Sequence, residues 1–399
     1  MLKGKTVLAG TCGGIALYKV PLLLGRLRDL GADVHVVMTE AATRFVSPLT
    51  FQTVTGNPVH TDLFEPPRLW NVEHIALAER ADLVVVAPAT ANILGKAAAG
   101  VADDFLSTVL LAARGQVLYV PAMDAAMYAH PAVQRNIALL REFGAEVMEP
   151  DRGRLASGLV GPGRYPETER ILAACLRLLG PGDLAGRKVV VSAGPTREHL
   201  DPVRFLSNPS TGRMGFALAA EARRRSADVV LVSGPTELPP PPEVRVVEVT
   251  TAAEMREAVL GEAAGADVVI MAAAVADWRP RERASRKVKK TEGDMELRLV
   301  RTPDILAELG RDKGRRVLVG FAAETGDLVE NARAKLRAKN LDLIAANPVG
   351  QAEDSGFAAV TNRVTLLARD GSVEELPLMT KDEVARTVLD RVVRLLEEV

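Results

Sequence analysis

The chain is short of the features that mark secreted, membrane-bound or nucleic-acid-binding proteins. Its two cysteines, Cys12 and Cys175, are too few for a disulfide framework and fit a reducing compartment. Charge of one sign is missing too. With 50 basic and 51 acidic residues the net charge is −1, so no global basic field draws nucleic acid or a membrane surface. Any anionic ligand must be held by local groups. Nor does the chain open on a long hydrophobic run: Met1-Leu2-Lys3-Gly4-Lys5 leads into an apolar stretch at 6–9 that is too short for a signal-peptide core or a membrane span. The expected location is therefore cytoplasmic. What is present is globular composition, 48% hydrophobic and 25% charged. At 399 residues the chain is too long for one ordinary core and implies two domains.

Short Val-rich runs alternate with amphipathic stretches. Runs at 6–10, 33–38, 82–87 and 116–121 are nearly continuous in Val, Leu and Ile, the pattern of strands buried on both faces. Helical spacing lies between them at 19–30, 74–80 and 102–113. The alternation breaks at 180–187, a Gly- and Pro-bearing linker, then restarts with strands expected at 188–193, 228–233, 267–274, 316–321 and 341–346. The tract 235–242 holds five prolines and must be a surface loop. The expectation is an α/β protein of two domains, 1–183 and 187–399, each a mostly parallel sheet with helices on both faces.

The first strand runs into Gly10-Thr11-Cys12-Gly13-Gly14-Ile15-Ala16 ahead of a helix. Such a turn aims backbone N–H groups at an anion, usually phosphate. Any strand-to-helix turn also favours glycine, and the motif alone leaves both readings open. The dinucleotide fingerprint G-x-G-x-x-G with its ribose-binding acid is absent, which points away from NAD toward a mononucleotide such as FMN. Three further strand ends carry small polar residues: Met38-Thr39-Glu40-Ala41, Ala87-Pro88-Ala89-Thr90-Ala91-Asn92 and Pro121-Ala122-Met123-Asp124. Ligands of open parallel sheets bind at such ends; taken singly, Thr39 and Asn92 also suit helix caps.

With Glu73-His74-Ile75 and Gly161-Pro162-Gly163-Arg164, these motifs resemble the flavin-dependent cysteine decarboxylase family over residues 5–180. The closest resemblance is to the decarboxylase half of the bifunctional phosphopantothenoylcysteine decarboxylase/phosphopantothenate–cysteine ligases. The resemblance implies a flavodoxin-like domain that binds FMN between subunits of a trimer, through Gly13, Gly14, Ile15, Thr39, Ala89, Thr90, Asn92, Ser107 and Met123. It implies a catalytic role for His74, whose imidazole suits proton traffic near neutral pH. FMN would oxidise the substrate thiol to a thioaldehyde, the electron sink that carbon dioxide loss requires, and reduce the resulting enethiolate. Two positions depart from the family. Its Pro-Ala-Met-Asn ends here in Asp124, which repels a substrate carboxylate unless protonated or paired with a cation. Its proton-donating cysteine aligns with Ser157, and an aliphatic hydroxyl is a far weaker acid than a thiol of pKa about 8.5.

The second half opens with a strand ending in Ser192-Ala193-Gly194-Pro195-Thr196, followed by Asp201-Pro202-Val203-Arg204-Phe205-Leu206-Ser207-Asn208-Pro209-Ser210-Thr211-Gly212-Arg213-Met214-Gly215 and an Ala-rich helix. Small polar residues before a helix start suit phosphate, and they equally suit a solvent loop with a capped helix. This stretch resembles the ligase half of the same bifunctional family. So do Ala272-Ala273-Ala274-Val275-Ala276-Asp277-Trp278, Thr302-Pro303-Asp304-Ile305-Leu306, Gly320-Phe321-Ala322-Ala323-Glu324-Thr325 and Asn340-Leu341-Asp342-Leu343-Ile344, over 188–395 in all.

That resemblance implies a Rossmann-like domain that activates 4′-phosphopantothenate with CTP and Mg²⁺ as an acyl-cytidylate, which cysteine then attacks. It assigns nucleotide contacts to Met271, Ala272, Ala273, Asp277, Pro303, Asp304, Ile305, Leu306, Phe321, Lys335 and Lys339. Lys287 becomes both a nucleotide contact and the catalytic lysine of the loop Arg286-Lys287-Val288-Lys289-Lys290, and Asn208 the residue that turns over the cytidylate. The metal ligands stay unassigned. Read without the resemblance, the charge run is a solvated loop, Lys335 and Lys339 are surface lysines at i and i+4, and Trp278 and Phe321 are core. The expected partners are small molecules and further copies of the chain, with trimeric flavin domains and dimeric ligase domains combining into a dodecamer. The alternative is an active ligase with an N-terminal domain that serves only as an FMN-binding oligomerisation or regulatory module.

Overall fold

The structure is a computed structural model. It describes residues 1–63, 73–289, 295–348 and 359–398, the side chains of Glu73 and His74 excepted. The chain divides into two compact units, Met1–Gly180 and Pro181–Val399.

The first unit is built on parallel strands β1 (Thr6–Thr11), β2 (Asp33–Met38), β3 (Val59–His60), β4 (Leu83–Ala89), β5 (Gln116–Pro121) and β6 (Glu146–Val147), in the order β3-β2-β1-β4-β5-β6. Without the two-residue β3 this is the five-strand doubly wound order of flavodoxin-like folds. Alternate residues of each strand enter opposite cores. Val7, Ala9, Leu83 and Val85 pack with Leu23, Leu24 and Leu27, whereas Leu8, Val84 and Val86 pack with Ile93, Leu106 and Val109. Both faces are covered, which is why the strands lack polar alternation. Chain order reverses between β1 and β4, so the turns after these two strands diverge and open a crevice.

Two boundaries differ from expectation for identifiable reasons. The helix expected from 102 begins at Phe105 and runs to Ala112. Asp104 caps it: its carboxylate accepts from the Ser107 amide at 2.8 Å, while the Ser107 hydroxyl accepts from the Asp104 amide at 3.0 Å. Strand β4 runs two residues past the expected 87, through a cis Ala87–Pro88 bond. The sequence reading also contained no antiparallel hairpin, yet Asp151–Arg154 pairs with Val160–Arg164 and carries Ser157 in its connecting turn.

The second unit holds a mixed eight-stranded sheet. From edge to edge it runs Arg245–Glu248, Asp228–Ser233, Lys188–Ala193, Val268–Met271, Val317–Glu324, Leu343–Pro348, Thr365–Ala368 and Val373–Glu375. The first six are parallel and the last two antiparallel. Again Val189 and Val191 enter one core and Val190 the other. The helix Arg213–Arg224 approaches the sheet at Gly215, where a Cβ would sit 2.5 Å from Ala193 Cβ and 2.8 Å from the Ser192 carbonyl oxygen. The C-terminal helix Lys381–Glu397 packs against it, so the two helices begin close together. No helix among the described residues is long and apolar enough to cross a membrane.

The glycines of this unit separate close-approach roles from incidental ones. Gly215→Val should lower unfolding stability by about 1–3 kcal/mol through overpacking. Gly261→Ala lies in the helix Ala252–Ala263, where an added methyl meets nothing within 4 Å, and should raise stability by about 0.5–1 kcal/mol. Denaturant titration of the two variants against the parent checks both.

Candidate functional site

In the first unit the strand-end segments meet at the carboxyl edge. A Cβ on Gly13 would lie 2.5 Å from Ala41 Cβ, just past Thr39, and one on Gly14 would touch Pro88 and Thr90 at 3.7 and 3.9 Å. The Ala122 amide donates to the Ala89 carbonyl at 3.2 Å, and the Met123 amide to the Gly163 carbonyl at 3.0 Å. Gly163 has φ +119, and any side chain there would collide with the Met123 carbonyl at 2.2 Å. The Gly-Pro-Gly-Arg run is thereby fixed against the Pro-Ala-Met-Asp turn.

Thr39 and Thr90 each cap a helix, accepting from the Ala42 and Ile93 amides. Capping consumes a lone pair of each hydroxyl, and the Thr90 side chain also hydrogen-bonds Cys12. Asn92 is exposed in the first turn of the helix that Thr90 caps, and Ile15 is exposed beside the Gly13-Gly14 turn. Ser107 has another task. It is 1% exposed, and its hydroxyl is committed to Asp103 and Asp104. Lys96 pairs with the same two aspartates. The His74 side chain lies outside the described residues.

The two departures from the decarboxylase pattern touch each other: Ser157 Oγ donates to Asp124 Oδ2 at 2.7 Å. Asp124 also caps the helix Ala125–Ala129 by accepting from the Ala126 amide at 3.0 Å. The Ser157 hydroxyl, then that amide, hold the Asp124 carboxyl below the usual aspartate range, so it is an anion at neutral pH. Neither cysteine supplies the missing acid, because burial pushes both the Cys12 and Cys175 thiols up to about 12.

In the second unit a cleft of about 690 Å³ opens at the carboxyl edge of the sheet. Asn208, Met271, Ala272, Ala273, Asp277, Pro303, Asp304, Ile305, Leu306, Phe321, Lys335 and Lys339 all line it. The expected nucleotide residues are thus gathered from four separate strand ends and a helix, with the exception of Lys287. The loop geometry is pinned by partly buried polar links. Asn208 Nδ2 donates to the Ala274 and Val275 carbonyls at 3.2 and 3.4 Å, Ser192 Oγ accepts from the Ala273 amide at 3.1 Å, and Thr302 Oγ1 donates to the Ala276 carbonyl at 2.5 Å. Lys335 and Lys339 are not idle surface lysines. They pair with Glu324 at 2.6 Å and with Asp304 at 2.9 Å, contacts that keep both ammonium groups at the cleft.

Lys287 is exposed on its own loop, outside the cleft lining, and Lys290 lies outside the described residues. What anchors this loop escaped the sequence reading. Asp201, fully buried, accepts from the amides of Val203 and Arg204 at 2.8 Å, from the Arg204 guanidinium at 2.6 Å and from the Val288 amide at 3.2 Å. Arg204 then donates to the Val288 carbonyl at 2.7 Å, and the Ala284 amide to the Leu200 carbonyl at 2.9 Å. Burial pushes the Asp201 carboxyl up, but these donors together pull it well below the ordinary range. The signal available in sequence was Asp201-Pro202, a turn opener, with an arginine two residues on.

Two doubly wound α/β units, each collecting small polar residues at the carboxyl edge of a parallel sheet, define a two-site protein for phosphate-bearing ligands. A family model described as Flavoprotein matches residues 1–180, and one described as DNA/pantothenate metabolism flavoprotein C-terminal domain matches 184–396. The coenzyme A biosynthesis bifunctional protein CoaBC of Bacillus subtilis is 49% identical over 399 residues, 99% of this chain and 98% of that protein. The Escherichia coli K12 protein of the same name is 45% identical over 402 residues, 100% of this chain and 98% of its own length. A crystal structure of the C-terminal domain of such a CoaBC protein is 44% identical, covering 55% of this chain and all of that one at a TM-score of 0.47. The chain belongs to the coenzyme A biosynthesis bifunctional protein CoaBC family.

Two measurements check the anchoring geometry. Ser157→Ala should raise the Asp124 pKa toward the ordinary aspartate value, as read from the pH dependence of its carboxyl carbon NMR shift. Asp201→Ala should speed hydrogen exchange at the amides of Ala284 and Val288 with little change at the sheet strand Lys188–Ala193, because only the loop loses its acceptor.

Proposed function

We propose that this chain is a bifunctional enzyme that produces 4′-phosphopantetheine. Its second unit joins 4′-phosphopantothenate to cysteine at the expense of CTP, and its first removes carbon dioxide from the adduct with FMN. The observation that carries the ligase reading is the convergence of five sequence motifs, separated by more than a hundred residues, on one cleft. A carboxylate is a poor electrophile, so a nucleotide must activate it before an amine can attack. Asp277, Phe321 and the Pro303–Leu306 segment would hold the nucleoside end, Lys335 and Lys339 would exchange their carboxylate partners for phosphate, and Lys287 would swing in on its tethered loop. No group of three or more His, Cys, Asp or Glu side chains among the described residues is arranged to hold a metal, so Mg²⁺ would arrive on the phosphates of CTP.

For the first unit, the Gly13-Gly14-Ile15 turn and the Thr39 hydroxyl fit the phosphate and ribityl groups of FMN, with Ala89, Thr90, Asn92 and Met123 alongside. When bound, FMN supplies the redox capacity that makes the substrate thiol carbon an electron sink. Proton handling would fall to His74. The Asp124–Ser157 contact favours a second reading, in which only the ligase works and the first unit is an FMN-binding module. Asp124 is an anion where a substrate carboxylate needs a donor, and the Ser157 hydroxyl is already committed to it. Exposed apolar residues at Ile15, Tyr18, Leu22 and Leu49 support a homo-oligomer through this unit. Small-molecule substrates, a cytoplasmic location and the absence of nucleic-acid or membrane partners complete the reading.

Mass spectrometry of products from the purified protein with 4′-phosphopantothenate, cysteine, CTP and Mg²⁺ tests it. Accumulation of 4′-phosphopantetheine is the expected result. Arrest at the phosphopantothenoylcysteine adduct would select the second reading, and the double variant Asp124→Asn, Ser157→Cys should then release carbon dioxide. Absence of any adduct, with ATP tried as well, overturns the ligase assignment.

A further inference from the structure

The same cleft has a second polar wall that the ligase reading leaves without a role. Arg213 opens the helix Arg213–Arg224, Lys381 opens the adjoining helix Lys381–Glu397, and both line the cleft together with Asn362. Asn362 is held beside Lys381 by the short antiparallel pairing of Thr361–Asn362 with Met379–Thr380. Three observations show that this wall is shaped for a ligand. Asn362 is 4% exposed, and its Oδ1 is buried without a hydrogen-bond partner among the described residues, an arrangement that folded proteins rarely leave unmet. Lys381 is 6% exposed, and burial together with the charge of Arg213 pushes its ammonium down to about 8. The helix Arg213–Arg224 starts from Gly212 with no side-chain cap, whereas its neighbour is capped by Thr380. Its first-turn amides therefore add to the positive potential on this wall.

A phosphate anion answers the charge, since it accepts from the ammonium, the guanidinium and the helix amides at once. It does not by itself answer Asn362 Oδ1, which needs a donor or a cation. A phosphate monoester above its second pKa of about 6 offers neither. A magnesium-bound polyphosphate offers both, through the metal or its bound water. We propose that Arg213, Asn362 and Lys381 form a phosphate subsite that takes the terminal phosphates of the nucleotide with their Mg²⁺. This proposal rests on the ligase reading and deepens it. When the carboxylate oxygen bonds the α-phosphorus, the bond from that phosphorus to the α–β bridging oxygen breaks, and its electron pair leaves with pyrophosphate. Arg213 and Lys381 then stabilise the charge that develops on the leaving group, and Asn362 orients the metal or its water.

Steady-state ligase kinetics on the full chain test the subsite with Lys381→Met, which keeps the buried stem, and Arg213→Gln, which alters an exposed residue and so leaves folding intact. Each should raise the KM for CTP and the inhibition constant of magnesium pyrophosphate by about tenfold, the equivalent of about 1.4 kcal/mol. The KM for 4′-phosphopantothenate should stay within about twofold. Asn362→Ala should weaken pyrophosphate inhibition in the presence of Mg²⁺ and leave the inhibition by metal-free pyrophosphate unchanged. A shift confined to 4′-phosphopantothenate would move the wall to the other substrate's phosphate and overturn the proposal, as would unchanged constants in both exposed and buried variants. Calorimetry of magnesium pyrophosphate binding to the parent and to Arg213→Gln separates this question from the ligase reading. Binding in the parent that the variant loses supports the subsite even if no adduct forms, and equal or absent binding rejects it even if the adduct does.

Discussion

Because the pairings of the first sheet and of the six leading strands of the second are all parallel, these strands end at one edge of their sheet, and the turns that follow them are delivered there. The hydrophobic cores enforce this arrangement. With alternate residues of one strand committed to opposite apolar layers, as Val189 and Val191 are against Val190, the strands have no polar face to turn outward. Function can reside only where the chain leaves the sheet. Around those edges Gly13, Gly163, Gly194, Gly212 and Gly215 stand where an added Cβ would meet a neighbouring atom at 2.2 to 2.9 Å.

The two edges carry different charged groups even though the whole chain is nearly neutral. Around the second, Arg213, Lys335, Lys339 and Lys381 converge on one cleft, some of them held by carboxylates. At the first, the acidic group is Asp124, kept ionised by Ser157 and by the helix start it caps. On our proposal one edge receives polyphosphate. At the other, an anion stands beside the expected place of a carboxylate, so any decarboxylation there must balance that charge with a cation or a proton.

Much of the fold was legible because buried parallel strands write themselves as short, uninterrupted apolar runs. The strands Asp33–Met38, Gln116–Pro121, Lys188–Ala193 and Asp228–Ser233 have the bounds read from sequence. Elements without such a core signal were missed. The hairpin around Ser157 is mostly solvent-facing and contains Gly153, Gly161 and Gly163, and the last two strands of the second sheet, Thr365–Ala368 and the edge strand Val373–Glu375, are short and antiparallel. In the site, motif order picked out residues that line one cleft. It was silent on groups whose role depends on tertiary placement: Asp201 as anchor of the Lys287 loop, and Lys381 with Asn362 more than a hundred residues from the helix start they face.

The most direct measurement is a crystal structure of the full chain grown with FMN, Mg²⁺ and a CTP analogue that cannot be cleaved. The account predicts the flavin phosphate over the Gly13-Gly14 turn of the first unit. It predicts the cytidine beside Phe321 and Asp277 in the second, with the terminal phosphates between Arg213 and Lys381. A nucleotide bound away from the carboxyl edge of the second sheet, or a flavin bound outside the first, would contradict it.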